Sequence, residues 1–505
     1  MSLQLNYLYI ENFKRFKKTE IFFLPKEGHN SNYRSYYKNI NYSVFVGENG
    51  VGKTTVMSFL CSIFHYLQRH HNRIESDFTL KYQITPTGKS EFTIEIQKLD
   101  KNVFISLEGK KYLLLEWNIK KKSYGRKFNQ KNIKNVITYD DIRYLLPDNI
   151  VASVFSFNKE YPESWNYNYI GDRIIKHHKT SLLYDSSVLG LGISLGKIKF
   201  LIYLFNNEKM YRTVLDVLGF KIAKTIDIHF SERKFNYDKN NEIYWDKLPK
   251  MSNYKSWEDF LRQNKFKSKS DFLNYIYSED FWGKYTFIAD SDRFEEKECL
   301  DIKKFLETKD YNASILLKLI ELEQVYINNI YFYKGEKLLS LNDFSSGEKI
   351  FIYRILSILT SIKENSLVII EEPELHLNPS WTKQIITLFT QLFGQFGAHF
   401  ILATHSYYFI NTLFPENILH VTEEGISFPK FNTFLANEKE ITSKLFPKTF
   451  DLNYTEERFI NELESNNIEK VENIMNYLGE SYYRFQTYKK LMEMKEERKN
   501  VESNE

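Results

Sequence analysis

Residues 44–60 read VFVGENGVGKTTVMSFL and set Gly47, Asn49, Gly50, Gly52, Lys53, Thr54 and Thr55 in the spacing G-x-x-x-x-G-K-T. These residue types in this order suit phosphate. Glycines let successive backbone N–H groups turn inward around phosphate oxygens, and a helix N-terminus behind them adds its dipole. Lys53 brings a point charge to the terminal phosphates, and the Thr54 hydroxyl is placed to ligate a magnesium ion. An apolar run, Leu367 to Ile370, delivers Glu371 and Glu372. Glu371 there would organise magnesium, through water, and Glu372 would polarise the attacking water as general base. The run Phe400 to Thr404 presents His405 and Ser406 in the same way. A neutral imidazole at His405 can donate a hydrogen bond to a terminal phosphate, or hold the water and Glu372 in place. Ser345 and Ser346, followed by Gly347 and Glu348, open an apolar helical run from Ile350 to Ile362. Their first-turn N–H groups can accept an anion, although such a segment is by itself ordinary helix capping.

These groups need strands and helices to hold them. Tyr42 to Val46 has strand character and Thr55 to Leu67 helix character, so the glycine loop lies between a strand and a helix, as phosphate binding requires. LVII before Glu371 is apolar enough for a fully buried parallel strand, and ligands of open α/β sheets bind outside the carboxyl ends of such strands. Leu3 to Ile10 alternates as a strand, turns at Glu11 to Phe16, and returns near Thr19 to Leu24. Strand candidates at Leu80–Thr85, Glu91–Gln97, Asn102–Leu107 and Tyr112–Ile119 are separated by hairpin-sized gaps and suggest an antiparallel sheet beside the site. Ile150 to Phe157 reads as another buried strand. From Ser194 to about Lys337 the pattern is read as helical, at Ile198–Phe205, Trp257–Gln263 and Ile315–Tyr326, which suggests an insertion. The basic run Lys120 to Lys134, with Tyr124 and Phe128 interleaved, could track a phosphate backbone, but a solvated loop explains it as well.

At 505 residues the chain is long enough for several domains and a substantial core. Its two cysteines, Cys61 and Cys299, offer neither a disulfide framework nor a cysteine zinc site. A net charge of +4 is too small to imply nucleic acid by itself. The opening MSLQLNYLYIENF has no basic segment followed by an apolar core, and no apolar run is long enough to span a bilayer, so a cytoplasmic protein without a membrane segment is expected.

The order GENGVGKTT, SSGEK, VIIEEPELHLNP, ATHS resembles the ATP-binding-cassette (ABC) ATPases, and within them the soluble SMC, RecF and OLD-like branch. The resemblance covers residues 1 to about 200 and about 335 to 435. It implies an α/β ABC-type P-loop ATPase head, a mixed sheet with an antiparallel subsheet, bearing a mainly helical insertion and a helical C-terminal tail. It makes ATP and magnesium the cofactors. It also makes Ser345, Ser346, Gly347 and Glu348 the signature motif, which completes the ATP site of the opposite protomer in a head-to-tail dimer or higher homo-oligomer. In the same branch the basic residue after Phe13, here Lys14, reaches the nucleotide, and the amide of a glutamine loop contacts the metal. Here that loop falls near Ser156 to Glu160, where Asn158 supplies the amide. The acid ending the Walker B strand is usually aspartate and is Glu371 here, as in the OLD-like EEPELHLNP block. The stretch after His405 lacks an E…DxD pattern, so no Toprim nuclease is expected within the chain.

The expected organisation is an N-terminal ABC lobe at 1–195, an insertion at 196–337, a C-terminal ABC lobe at 338–437 and a helical extension at 438–505. An ATPase of this branch without its own nuclease resembles the ATPase components of bacterial anti-phage systems such as Septu, PARIS and retron-associated cassettes. The leading expectation is therefore an ATPase that controls a separate effector such as a nuclease. A repair or chromosome-maintenance ATPase clamping DNA, and a scaffold that binds ATP without turnover, are the alternatives.

Overall fold

The computed structural model describes residues 3–25, 36–67, 71–118, 123–125, 134–153, 161, 168–170, 219, 221–230, 261–262, 265–268, 271, 286–291, 294–301, 325–340, 343–447, 454–464, 467–479 and 482–502. They fall into two units, Met1–Glu438 and Lys439–Glu505.

The first unit begins with a hairpin of β1 (Gln4–Phe13) and β2 (Phe16–Phe22), then β3 (Asn41–Val46), the glycine loop and α1 (Lys53–Leu67). β4 (Phe78–Ile84), β5 (Phe92–Leu99), β6 (Asn102–Leu107) and β7 (Lys110–Leu114) run on as an antiparallel meander, as their spacing suggested. The last of the expected strands divides at Leu115, and β8 (Glu116–Asn118) pairs instead with β9 (Ser123–Gly125). Most of the basic run 120–134 lies outside the described residues. β10 (Val136–Ile137) adds in parallel to β7, giving the sheet order β10-β7-β6-β5-β4-β1-β2. A short helix, α2 (Tyr139–Ile142), is capped by Thr138 and leads toward β11 (Ile150–Ser153) and β12 (Asn168–Ile170).

In the segment 196–337, expected to be mainly helical, Leu261 and Arg262 are helical inside the expected helix 257–263, but most of the described backbone is strand. β13 (Lys221–Phe230), β14 (Thr286–Ser291), β15 (Phe294–Asp301), β16 (Val325–Lys334) and β17 (Lys337–Ser340) form an antiparallel sheet in the order β14-β15-β13-β16-β17. Val325 and Tyr326, expected to end a helix, begin β16. The reason is local chemistry: KIAKTIDIHF and VYINNIYFYK are dense in β-branched and aromatic residues, which favour strands. Lys334 faces Lys337 across a two-residue turn whose Gly335 has φ +65°, a hairpin conformation that glycine accepts at no steric cost. The expected helix at 198–205 lies outside the described residues.

After this come α3 (Ser346–Ser361), β18 (Leu367–Glu371), α4 (Pro379–Phe393), β19 (His399–Thr404), α5 (Tyr407–Ile410), β20 (Ile418–Val421) and β21 (Ile426–Ser427). A second sheet has the order β12-β11-β18-β19-β3-β20-β21, parallel except for β21. Strands β3, β11, β18 and β19 are buried almost throughout, which explains why they read as unbroken apolar runs.

Side chains alternate across this sheet. One hydrophobic cluster joins Phe45, Ile369 and Ile401 on one face to Leu60 of α1 and Leu80 of β4. On α1 the buried residues Val56, Phe59, Leu60, Ile63, Phe64 and Leu67 repeat at helical spacing. Phe59 meets Phe13 and Phe78, and Phe64 meets Tyr82, so α1 is the layer between the two sheets. Each such phenylalanine, fully buried, contributes about 1.5–3 kcal/mol. On the other face Phe400 receives Phe389 and Phe393 of α4, and Phe351 of α3 stacks on Phe389.

β19 starts with a buried polar anchor. The Leu5 amide donates to His399 Nδ1 at 2.9 Å, and His399 Nε2 lies 2.9 Å from Ser43 Oγ. An accepting Nδ1 leaves the ring proton on Nε2, directed to the serine. Burial lowers the imidazole to about 3, so it is neutral and fully used as a hydrogen-bonding bridge between β1, β3 and β19.

The second unit is helical: α6 (Glu438–Leu445) leads in from the boundary, followed by α7 (Tyr454–Glu464), α8 (Ile468–Tyr477) and α9 (Tyr482–Glu502). Leu463, Val471, Leu491 and Met494 form its small apolar cluster, and Asn467 caps α8.

Candidate functional site

Register brings the chemistry to one end of the parallel sheet. Glu371 pairs with Ala403, and Thr404 pairs with Val46, so Gly47, Glu372 and His405 each leave their strands at the same edge. In the glycine loop, Gly50 (φ +79°) is open: a Cβ there would meet nothing within 4 Å. Gly52 (φ +105°) is the opposite, since a Cβ would lie 2.7 Å from Phe16 Cζ and 2.8 Å from Arg15 Cδ. The β1–β2 hairpin is thus pressed onto the start of α1, with positive φ at Lys14 (+51°) in its turn and at Lys18 (+47°) in β2. Lys14 Nζ lies 5.6 Å from the Phe13 ring centroid.

Lys53 is buried and donates to the main-chain oxygens of Gly47 and Glu48 at 2.8 and 2.9 Å. Its ammonium braces the curve of the loop from inside. Burial lowers it to about 8, against the opposing pull of Glu372, Glu48 and Glu371. Thr54 is half-buried, Thr55 is buried, and Asn49 is exposed at the loop. Among the described residues no three His, Cys, Asp or Glu side chains form a metal site by themselves. Magnesium that keeps waters and shares phosphate oxygens needs only one or two protein ligands, and Thr54 with Glu371 fits that donor set.

Glu371 accepts a hydrogen bond of 3.0 Å from the hydroxyl of buried Tyr161. Glu372 has φ +43°, a left-handed conformation costing a non-glycine residue about 1–2 kcal/mol. Three bonds hold it there: its amide donates to Ala403 O at 2.8 Å, and its oxygen accepts from Leu375 N and from Arg354 Nη1, each at 3.0 Å. The turn lifts the carboxylate outward, and Glu372 Oε1 comes to 3.9 Å from His405 Nε2. Burial, with the Lys53 charge adding to it, lowers His405 to about 4, so the ring is neutral near pH 7 and offers a hydrogen bond without a charge.

Ser345 and Glu348 form a reciprocal capping box. Ser345 N and Oγ donate to Glu348 Oε2, each at 2.8 Å, and Glu348 N donates back to Ser345 Oγ at 3.3 Å. Ser346 begins α3, and Gly347 is buried in its first turn. Asn158 lies outside the described residues. Lys53, Glu371, Glu372 and His405 are therefore brought together within one chain, while Ser345 and Glu348 bond to each other at their own helix end.

Two domain families match in sequence. One, described as "AAA domain", covers residues 7–182 and takes in the glycine loop; the other, described as "AAA domain, putative AbiEii toxin, Type IV TA system", covers 301–411 and takes in Ser345 to His405. The chain is thus similar to AAA domains in both segments, each spanning less than half of its length. Its two matched segments meet in the parallel sheet, β3 and β11 coming from the first, β18 and β19 from the second. Among solved structures, the recombination mediator protein RecF of the RecFOR pathway is similar at 13% identity, over 85% of this chain and 98% of that chain, with a TM-score of 0.31. The SMC head domain from Thermotoga maritima is similar at 12% identity, over 85% and 100%, with a TM-score of 0.33. A Pyrococcus furiosus Smc head with an extended coiled coil, bound to the C-terminal domain of ScpA, is similar at 10% identity, over 88% and 99%, with a TM-score of 0.31. No curated protein matches the chain.

The strand ends hold further polar groups that the motifs do not announce. Glu374 is half-buried with its carboxylate turned inward, and its Oε1 accepts from the Thr404 hydroxyl and, at 3.3 Å, from the His405 amide. Burial raises its pKa, those hydrogen bonds opposing the rise. Arg354 interrupts an otherwise apolar helical run, a visible signal in the sequence, but its acceptor is a main-chain oxygen and has no sequence signature. Arg15, whose stem crosses Gly52, sits next to the Lys14 chosen by resemblance.

Proposed function

We propose that the chain hydrolyses ATP, with magnesium, between two copies arranged head to tail, and that this pair controls a separate cytoplasmic effector, of the nuclease kind, in anti-phage defence. The approach of His405 to Glu372 at the strand ends beside Lys53 carries the reading. In it Lys53 and the loop amides hold the phosphates. Thr54 and Glu371 hold magnesium, which when bound offsets charge on the β- and γ-phosphate oxygens. Glu372 takes a proton from the attacking water, and His405, neutral, donates to the terminal phosphate or to that water. Lys14 reaches the nucleotide from the hairpin, and Asn158 adds an amide toward the metal. Ser345, Ser346, Gly347 and Glu348 serve the partner copy's ATP, the capped start of α3 presenting its N–H groups to phosphate.

The test is molar mass by light scattering with and without MgATP, alongside phosphate release. Glu372→Gln is expected to bind ATP, remain paired and lose turnover. A Glu372→Gln protein that binds ATP but stays a monomer, or that releases phosphate at the normal rate, overturns the reading.

A further inference from the structure

We infer that Arg354 is a positioning residue for hydrolysis, a buried tie from the signature helix α3 that holds the Glu372 backbone in the turn from which its carboxylate reaches His405. The inference rests on the proposed hydrolytic reading and adds to it a residue that touches neither nucleotide nor metal.

Three observations converge on this tie. Arg354 is 4% exposed, and its Nη1 donates to Glu372 O at 3.0 Å, directly at the residue whose left-handed conformation has to be maintained. The turn is fixed from three sides: by β19 through Ala403, by its own next residues through Leu375, and by α3 through Arg354. Only the last of these comes from the helix that begins at Ser346.

The surroundings explain why the tie is an arginine. Glu371, Glu372 and Glu374 crowd three carboxylates into four residues, and the Glu374 carboxylate is turned inward with Oε2 enclosed. Burial lowers Arg354 to about 10, and the charges of Glu374, then Glu372 and Glu371, oppose that fall and keep the guanidinium a cation. A planar fork can meet a main-chain oxygen and neutralise nearby carboxylates at once, which a compact ammonium does less well. The same helix touches the acidic loop a second time, where Gly347 lies beneath the main-chain oxygen of His376. A displacement of α3 therefore reaches the turn at Glu372 through packing at Gly347 and through a hydrogen bond at Arg354.

The experiment separates positioning from stability by comparing wild type, Glu374→Gln, Arg354→Met, Arg354→Lys and the pair Arg354→Met with Glu374→Gln. Arg354→Met alone is expected to lower the melting temperature, since it strands the inward-turned Glu374 carboxylate. The pair removes that mismatch and is expected to recover the melting temperature. Measured against Glu374→Gln, the pair is still expected to show a kcat lower by about tenfold or more, with the KM for ATP and the affinity for ATP unchanged, because the bond to Glu372 is gone. Arg354→Lys recovers part of the kcat. A pair with the kcat of Glu374→Gln, or a loss confined to KM, overturns the inference while leaving ATP hydrolysis standing. A wild-type protein that binds ATP and releases no phosphate overturns both.

Discussion

Gly347, in the first turn of α3, packs so closely under the main-chain oxygen of His376 that a Cβ on it would lie 2.0 Å from that oxygen. His376 itself has φ +67°, and the atoms a Cβ would strike first are its main-chain oxygen and carbon, not the flexible end of a side chain. Glycine at this position is required by contact between α3 and the acidic loop, whatever else its N–H group binds.

Gly347→Ala must push α3 and the loop 372–377 apart. Overpacking a rigid contact of this kind costs about 1–3 kcal/mol. A lower urea midpoint is expected, with a loss of phosphate release larger than the loss of stability explains, since the same loop carries Glu372. Unchanged midpoint and turnover would show that the helix and loop are free to separate.

Lys53→Ala removes the ammonium that joins the Gly47 and Glu48 oxygens, and with it the charge proposed to meet the terminal phosphates. Charge-assisted bonds contribute about 1.5–3 kcal/mol each, so ATP affinity is expected to fall by about 10-fold to 100-fold or more. Titration calorimetry with ATP checks this, and retained affinity removes the phosphate-loop assignment.

His399 gives a pH dependence that can be signed. Its folded value, about 3, is depressed below the ordinary 6.5, so between these limits the unfolded chain binds more protons and stability rises with pH. The contribution is complete above about pH 6.5 and is lost as pH falls toward 3, with a slope of at most about 1.4 kcal/mol per pH unit. Asn at 399 keeps an acceptor for the Leu5 amide but does not titrate. His399→Asn is expected to be less stable at pH 7.5 and to show a shallower decline in urea midpoint from pH 7.5 to 5.5. Parallel declines would place the acid sensitivity elsewhere.

The legible parts of the sequence were those whose signal is local. A strand buried on both faces is an unbroken apolar run, so β18 and β19 could be read together with the groups they deliver, Glu371 and His405. The meander β4 to β7 was legible from hairpin spacing. The sheet strands within 221–340 do not alternate cleanly, so periodicity hides them, and their local signals are the β-branched and aromatic density of VYINNIYFYK and the Gly335 turn. Tyr161 meets Glu371 across 210 positions, and Arg354 meets a main-chain oxygen; neither pairing has a local code. Lys14 and Arg15 were both in view, but which of them lies on the loop depends on how the hairpin packs on Gly52.

The proposed two-copy site makes a prediction that a self-contained site does not. If Lys53 and Ser346 act on the same nucleotide only when they come from different copies, a defect in each can be separated by mixing. Ser346→Arg should spare ATP binding by the single chain and abolish the composite site, because an added guanidinium occupies the space intended for the partner's phosphates. Lys53→Ala should lose binding while keeping its own signature helix intact. In a mixed pair one composite site combines both defects and the other combines neither, so phosphate release is expected to return, to about half or less of the wild-type rate per pair, from two proteins each inactive alone. Full wild-type activity in the mixture would contradict two coupled sites, and continued inactivity would mean that each site needs its neighbour occupied. Activity of Ser346→Arg on its own, at the wild-type rate, would remove the signature segment from the site altogether.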